Sequence, residues 1–267
     1  MVAAGDKPAE FVEALGKGIA ILENFDAAHP EMTLSEVARR SGLTPAAARR
    51  SLITLCALGY VRQSGKRFHL TPKIMTLGSS FYFSAGIGEV LQPELRSLVE
   101  RFGDASSIAT LDGHDVIYIA HYSQQRARRA AAAVGASYPA FATSMGRVLV
   151  AAMDENDREA WLERLQPVAL TSKTCIDKDE LRRELLRVRA EGYATTVDQL
   201  DYGITAIAVP VRDQEGNTVA ALNSSGYSGI VDPEKLTSER LPELRVAASH
   251  IAHQLTRYPT LSSVLRR

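Results

Sequence analysis

The sequence predicts an α+β chain: an N-terminal winged helix-turn-helix, a linker helix, and a C-terminal domain in which helices flank a sheet. Three observations lead there. Residues 32–60 read as two short capped helices joined by a tight turn. A basic, glycine-containing hairpin pattern follows them directly. After Gly88, β-rich runs in pairs alternate with helical stretches over roughly 170 residues.

Residues 1–9 carry no pattern and predict a disordered lead. Residues 11–28 predict a helix with Leu15, Ile19, Leu22 and Phe25 as its apolar stripe, stopped at His29-Pro30. In the next helix Thr33 or Ser35 supplies the N-cap, and Glu36 three residues after Thr33 completes a capping box. Ser41-Gly42 ends it, because glycine adopts the left-handed stop. Thr44 caps a second helix with Pro45 at its first position, where a missing N–H costs nothing. Helical spacing turns Ala48, Leu52 and Leu55 inward and Ala46, Arg49, Arg50 and Ile53 outward. Residues 60–62 and 67–70 predict two strands around Gln63-Ser64-Gly65-Lys66, the wing.

Residues from 72 predict a linker helix ending at Gly86 or Gly88 and apolar on several sides (Ile74, Met75, Leu77, Phe81, Tyr82, Phe83, Ile87), a surface that suits packing against a second copy. The expected organisation is a head over 1–70, a linker over 71–88, an α+β domain over 89–258 and a tail over 259–267. In that domain, residues 90–103 predict a helix. Residues 106–113 and 115–123 predict a hairpin turning at Gly113-His114. A weak strand then leads into a loop containing Pro139, and a helix begins near Ser144. Two more helices, three strands and a final helix over about 233–258 complete it.

Charge is balanced overall, with 31 Lys/Arg against 31 Asp/Glu, but not locally. Residues 31–73 hold eight Lys/Arg and two acids, whereas residues 89–267 hold 21 against 24. A basic segment on a near-neutral chain points to a local polyanion site. A helix-turn-helix with an apolar underside and basic top fits a major groove. Arg49 and Arg50 are the expected base-edge readers, since arginine pairs with guanine in bidentate fashion. Arg39, Arg40, Lys66 and Arg67 are the expected phosphate contacts, and Thr33, Ser35, Thr44, Pro45 and Ala46 complete the surface at the helix starts.

Other chemistries find little support. There is no dinucleotide fingerprint, P-loop or nucleophile elbow. His250 and His253 pair on the last helix without further metal ligands, and Cys175 has no assignable base. No metal and no cofactor is expected. No apolar run of 18 residues exists, no signal peptide is evident, and two distant cysteines suit a reducing cytoplasm. The rival readings are an enzyme with a fused DNA-binding head and a protein-binding winged helix.

The order helix, LSEVARRSGLTPAAARRSLITLCALGYV, basic wing, linker helix and α+β domain resembles the IclR family of bacterial transcription regulators over about residues 11–258. ATSMGRVLVAAM, EGYATTVDQ, AIAVPVRDQEGNTVAALNSS and TPAAARRSLITLCALGY look like its Pca/Pob subgroup. The resemblance implies a GAF-like effector domain, dimers or tetramers, and binding to a palindromic operator, with RNA polymerase a further partner to consider. It implies activation, repression or both of aromatic-acid catabolic genes. The effector would be 4-hydroxybenzoate, protocatechuate or a ring-cleavage acid such as β-ketoadipate, with a non-aromatic keto acid as the alternative.

Carried over motif by motif, the resemblance implies effector contacts at Ser144 and Met145 in ATSMGRV, at Ala206, and at Asn223 and Ser225 in ALNSSG. An acidic contact falls in residues 198–201, with Asp201 chosen although the spacing is one residue short. The sequence departs from the pattern at Thr205, where an arginine is usual. Elementary chemistry agrees in part. A helix starting near Ser144 aims N–H groups that suit a carboxylate, and Asn223, Ser224 and Ser225 can hydrogen-bond acid or phenol oxygens. Arg126 can clamp a carboxylate, or with Arg128 and Arg129 form a solvated rim.

Overall fold

The computed structural model describes residues 8–84, 86–124, 132–229, 231, 233–258, 261, 263 and 265. Its contacts divide the chain into two compact units, Met1–Ser80 and Phe81–Arg267. The division falls inside the linker helix.

The first unit runs α1 (Glu13–Glu23), β1 (Glu31–Thr33), α2 (Leu34–Arg40), α3 (Pro45–Ala57), β2 (Val61–Ser64) and β3 (Arg67–Leu70). Local signals place α2 and α3. The Thr33 side chain accepts from the Glu36 amide, and the Glu36 carboxylate accepts from the Thr33 amide at 2.7 Å, a complete capping box. Gly42 takes φ 65° at the turn, and Thr44 caps α3 with Pro45 in its first turn. The three strands pair antiparallel in the order β1-β3-β2. Ile21, Val37, Ala48 and Leu52 are fully buried and hold the unit together; truncating Leu52 to Ala would cost about 2–5 kcal/mol.

Two expectations fail here. The first helix is shorter than residues 11–28, and Leu15 and Ile19 of its expected stripe are exposed. Ala20 and Ile21 are buried instead, with Leu22 and Phe25 packed beside them. Strand β1 was not expected at all. It is too short to show alternation and exists through its register with Arg67–His69 of β3.

A 3-10 turn (Pro72–Ile74) leads into α4 (Met75–Ser84), which exposes Met75, Leu77 and Phe83. Of the two expected stops, Gly86 and Gly88, the helix ends by the first. Gly86 interrupts it at φ 64° and starts α5 (Ile87–Val90). A Cβ at Gly86 would also meet the Tyr258 ring at 3.1 Å.

The second unit is a six-stranded antiparallel sheet, β6-β5-β4-β9-β8-β7. Its strands are β4 (Ala105–Asp112), β5 (Asp115–Ser123), β6 (Ser137–Pro139), β7 (Ala194–Val197), β8 (Ile204–Arg212) and β9 (Thr218–Tyr227). Pro139 ends an edge strand rather than lying in a loop, which proline tolerates at an edge. One face packs on α6 (Gln92–Phe102) and α11 (Leu241–Leu255) through Leu95, Ile108, Ile207, Leu222 and Leu244. The other carries α7 (Ser144–Ala151), with α8 (Glu155–Arg164) and α9 (Lys178–Glu191) outside it, over Ala109, Ala208, Ala221 and Met145. Small strand residues let α7 approach closely. At Gly146 an added Cβ would overlap the backbone of Ala140.

The last helix is not continuous. A short α10 (Pro233–Lys235) runs into a π turn (Leu236–Arg240) before α11. The wider turn brings Arg240 inward, where its guanidinium meets Asp104 at 2.6 Å and the Ser224 hydroxyl at 2.9 Å. Among the described residues, no helix is long and apolar enough to cross a membrane.

Candidate functional site

In the first unit, α3 presents an exposed edge. Arg49 and Arg50 lie outside the core set by Ala48, Leu52 and Leu55, and neither has an ion-pair partner among the described residues. Pro45, Ala46 and Thr44 are exposed at the same end, with the Thr44 hydroxyl accepting from the Ala47 amide at 3.3 Å. The antiparallel wing brings Lys66 and Gln63 opposite this helix. Together with Ser35, Arg49, Ile53 and Cys56 they line an open cleft of about 670 Å³. The cleft's basic groups come from different elements, so the hairpin and α3 form one surface.

The remaining expected contacts divide. Arg39 is exposed without a partner among the described residues. Arg67 lies 3.5 Å from Glu31 and is about half exposed, which leaves it available at the rim. Arg40 departs from expectation. Its guanidinium is held 2.9 Å from Asp26 and 3.2 Å from His29, so it ties α2 to the segment before β1. Thr33 departs too, since its hydroxyl donates to Glu36 at 2.9 Å within the capping box. Those hydrogen bonds hold the Glu36 carboxyl below its usual range.

In the second unit, strand register sorts the expected effector residues. Antiparallel partners share a face. His121, Ser107, Asn223, Ala208 and Ala194 therefore form one row across β5, β4, β9, β8 and β7. Ala208 and Ala194 belong to the core under α7, so the whole row faces that helix. The next row on the same face is Ser123, Ala105, Ser225, Ala206 and Thr196. Ala206, Asn223 and Ser225 thus share one face. Ser144 and Met145 open the helix that covers it, both buried.

Asn223 is 3 % exposed, and its side-chain oxygen accepts from the Ser107 amide at 2.8 Å. Its Nδ2 has no hydrogen-bond partner among the described residues, so the group it offers is a donor. At the start of α7 the Thr143 hydroxyl takes the Gly146 amide and the Thr143 carbonyl takes the Arg147 amide. The Ser144 and Met145 amides, at the first two positions, lie beyond intrahelical acceptors and add to the positive end of the helix.

Other expected contacts fall elsewhere. Asp201 is exposed in the loop before β8. In the same stretch it is Gln199 that turns in: its carbonyl oxygen accepts from Arg147 at 2.9 Å and from the Cys175 amide at 2.8 Å. Thr205 lies on the opposite face from Ala206, fully buried, so the arginine expected there would not point at this row. Ser224 likewise faces away and accepts from Arg240. Arg126, Arg128 and Arg129 lie outside the described residues. The sequence missed Ser107, His121, Gln199 and Arg147. Ser107 and His121 become neighbours only through pairing across a hairpin with a bulge between Ile108 and Ala109.

The surroundings of Cys175 disfavour a thiolate. Burial and the neighbouring Glu180 carboxylate push its thiol pKa upward. Among the described residues, no group of three metal-ligating side chains occurs.

A basic winged helix-turn-helix on one unit, and on the other a helix-covered sheet, are the architecture of a DNA-binding transcription regulator with a separate sensory domain. The chain belongs to the IclR family: residues 14–65 match the IclR helix-turn-helix domain and residues 82–253 match the bacterial transcriptional regulator IclR C-terminal domain. It is 35% identical to the Pca regulon regulatory protein of Pseudomonas putida over 92% of this chain and 85% of that one. It is 33% identical to the p-hydroxybenzoate hydroxylase transcriptional activator of Acinetobacter baylyi over 91% of each chain. A transcriptional regulator from Rhodococcus sp. RHA1 superposes with a TM-score of 0.75 at 38% identity, covering 95% of this chain and all of that one. The inducer-binding domain of PobR from Acinetobacter, a double mutant solved with 3-hydroxybenzoic acid, superposes with a TM-score of 0.58 at 33% identity, covering 61% and 96%.

Proposed function

We propose that this regulator controls aromatic-acid catabolic genes in response to a small aromatic or ring-cleavage carboxylic acid, such as 4-hydroxybenzoate or protocatechuate, bound between the sheet and the start of α7. The observation that carries the reading is Asn223, nine-tenths buried on the face where Ser225 and Ala206 also lie, whose Nδ2 has no hydrogen-bond partner among the described residues. An amide donor left free on a nearly buried side chain can pair with a carboxylate oxygen. The first-turn amides of α7 add a second anion-favouring feature. The relative solved with 3-hydroxybenzoic acid supports the same ligand class.

The head reads a palindrome as part of a dimer or tetramer. Arg49 and Arg50 enter the major groove, while Arg39, Lys66 and Arg67 hold phosphates. Met75, Leu77 and Phe83 on α4 give an apolar surface for a second copy. Effector binding acts on DNA affinity by favouring one arrangement of the two heads.

Isothermal titration with 4-hydroxybenzoate and protocatechuate tests the effector assignment. At least one binds the wild-type chain, and both Asn223→Ala and Ser144→Leu weaken it tenfold or more. Absence of binding by either acid at millimolar concentration overturns it.

A further inference from the structure

Resting on the reading that the α7-side face is the effector site, we infer that His121 is the specificity-determining residue for the effector's hydroxyl group, with Ser107 holding its ring in place. His121 sits on β5 directly opposite Ser107 of β4, and Ser107 sits directly opposite Asn223 of β9. The three side chains are therefore neighbours in one row under α7. Ser107 joins the other two. Its hydroxyl lies 2.9 Å from His121 Nδ1, and its amide donates to the Asn223 side-chain oxygen at 2.8 Å.

This arrangement uses one side of each outer group and leaves the other open. Asn223 keeps its Nδ2 hydrogens, and His121 keeps Nε2, which has no hydrogen-bond partner among the described residues. The two open groups differ in kind. An amide NH₂ only donates, which matches a carboxylate. A neutral imidazole can donate or accept at Nε2, according to whether Ser107 donates to Nδ1 or accepts from it. Burial holds His121 below the ordinary histidine range, so the ring is neutral near pH 7. A neutral two-way group matches a hydroxyl, which also both donates and accepts. The sheet spacing suits the division: Asn223 and His121 lie two strands apart, about 10 Å between backbones, with both side chains drawn toward Ser107. An aromatic acid lying across this row would meet Asn223 with its carboxylate and His121 with its hydroxyl.

The arrangement also explains selectivity. A site built to hydrogen-bond a ligand hydroxyl rejects an analogue lacking it more strongly than an apolar pocket rejects a missing methylene. Benzoate would leave Nε2 without a partner.

The test is isothermal titration of the full-length chain with 4-hydroxybenzoate and with benzoate. Wild type binds 4-hydroxybenzoate at least tenfold more tightly than benzoate. His121→Phe keeps the ring's bulk and loses the nitrogen, and brings the ratio to within about twofold while benzoate binding persists. Ser107→Ala frees the ring and lowers the ratio by an intermediate amount. Circular dichroism and thermal midpoints establish that each variant is folded, and Ser107→Ala serves alone should His121→Phe not fold. A wild-type chain that binds both acids equally, or variants that keep the full ratio, would overturn the role of His121 while leaving the effector site standing. A wild-type chain that binds neither these acids nor protocatechuate removes the site and the role together.

Discussion

Asn223 spends its side-chain oxygen on the Ser107 amide 2.8 Å away, and so turns its amide hydrogens toward the covered face of the sheet. The orientation follows from the partner: a backbone N–H can only donate, so the acceptor end of Asn223 must meet it. Asn223→Asp keeps that acceptor and replaces the donors with negative charge. It should leave the Ser107 contact and the fold in place yet weaken an acidic effector by roughly 10–100-fold, the scale of a lost hydrogen bond to a charged group. Calorimetric titration with 4-hydroxybenzoate reads this directly. Unchanged affinity would mean that Asn223 serves only to join β4 and β9.

On the head, the basic side chains should separate by their surroundings. Arg49 shares the cleft with Ser35, Gln63 and Lys66, whereas Arg67 borders Glu31 on the wing. Arg49→Ala should cost about 1–3 kcal/mol on the operator and little on random duplex, while Arg67→Ala should weaken both and flatten the salt slope. Arg40→Ala should leave the slope unchanged, because its guanidinium is already committed to Asp26. Fluorescence anisotropy across a salt series distinguishes the three. A slope lowered by Arg40→Ala would return that residue to the DNA surface.

The head was legible because its signals are local. Thr33 with Glu36, Gly42, Thr44 and Pro45 each act within a few residues, and the chain's own spacing displays them. The error at α1 was also local in origin: Leu15 and Ile19 repeat at helical spacing, but periodicity does not say which of two apolar stripes meets the core, and Ala20 and Ile21 do. The sheet face under α7 was legible only where family motifs reached it, at Ser144, Met145, Ala206, Asn223 and Ser225. Ser107 and His121 are joined by register across a bulged hairpin, and no short-range pattern carries that. Asp201 failed because a loop's inward residue is chosen by its hydrogen-bond partners, here Arg147 and the Cys175 amide for Gln199.

Gly146 is expected to tolerate no side chain. An added Cβ would overlap the carbonyl oxygen, Cα and carbonyl carbon of Ala140, all backbone, so no rotamer change relieves it. Gly146→Ala should therefore displace the start of α7 from the 3-10 turn (Ala140–Ala142) and cost roughly 1–3 kcal/mol or more, the range for overpacking. Thermal unfolding with and without effector measures it. The ligand-free midpoint should fall, and the effector-induced rise should shrink as well, because the Ser144 and Met145 amides move with the helix. A wild-type midpoint for Gly146→Ala would contradict the close approach.

The Arg240–Asp104 pair joins the π turn to the segment before β4, and both side chains are about nine-tenths buried. Removing one partner of a buried pair strands the other charge, so Arg240→Leu should cost about 3–5 kcal/mol. Replacing both, as Arg240→Leu with Asp104→Leu, should recover much of that loss, because no ion is then left in the interior. Ser224 would still lose its donor, so recovery should be incomplete. The chain provides its own probe. Its one tryptophan, Trp161, is 4 % exposed and lies in the second unit, so its fluorescence follows unfolding of that unit without signal from the head. Urea titrations of wild type, both single variants and the double variant close a thermodynamic cycle. A coupling near zero would show that the π turn is held by Leu236 and the surrounding apolar core rather than by this pair.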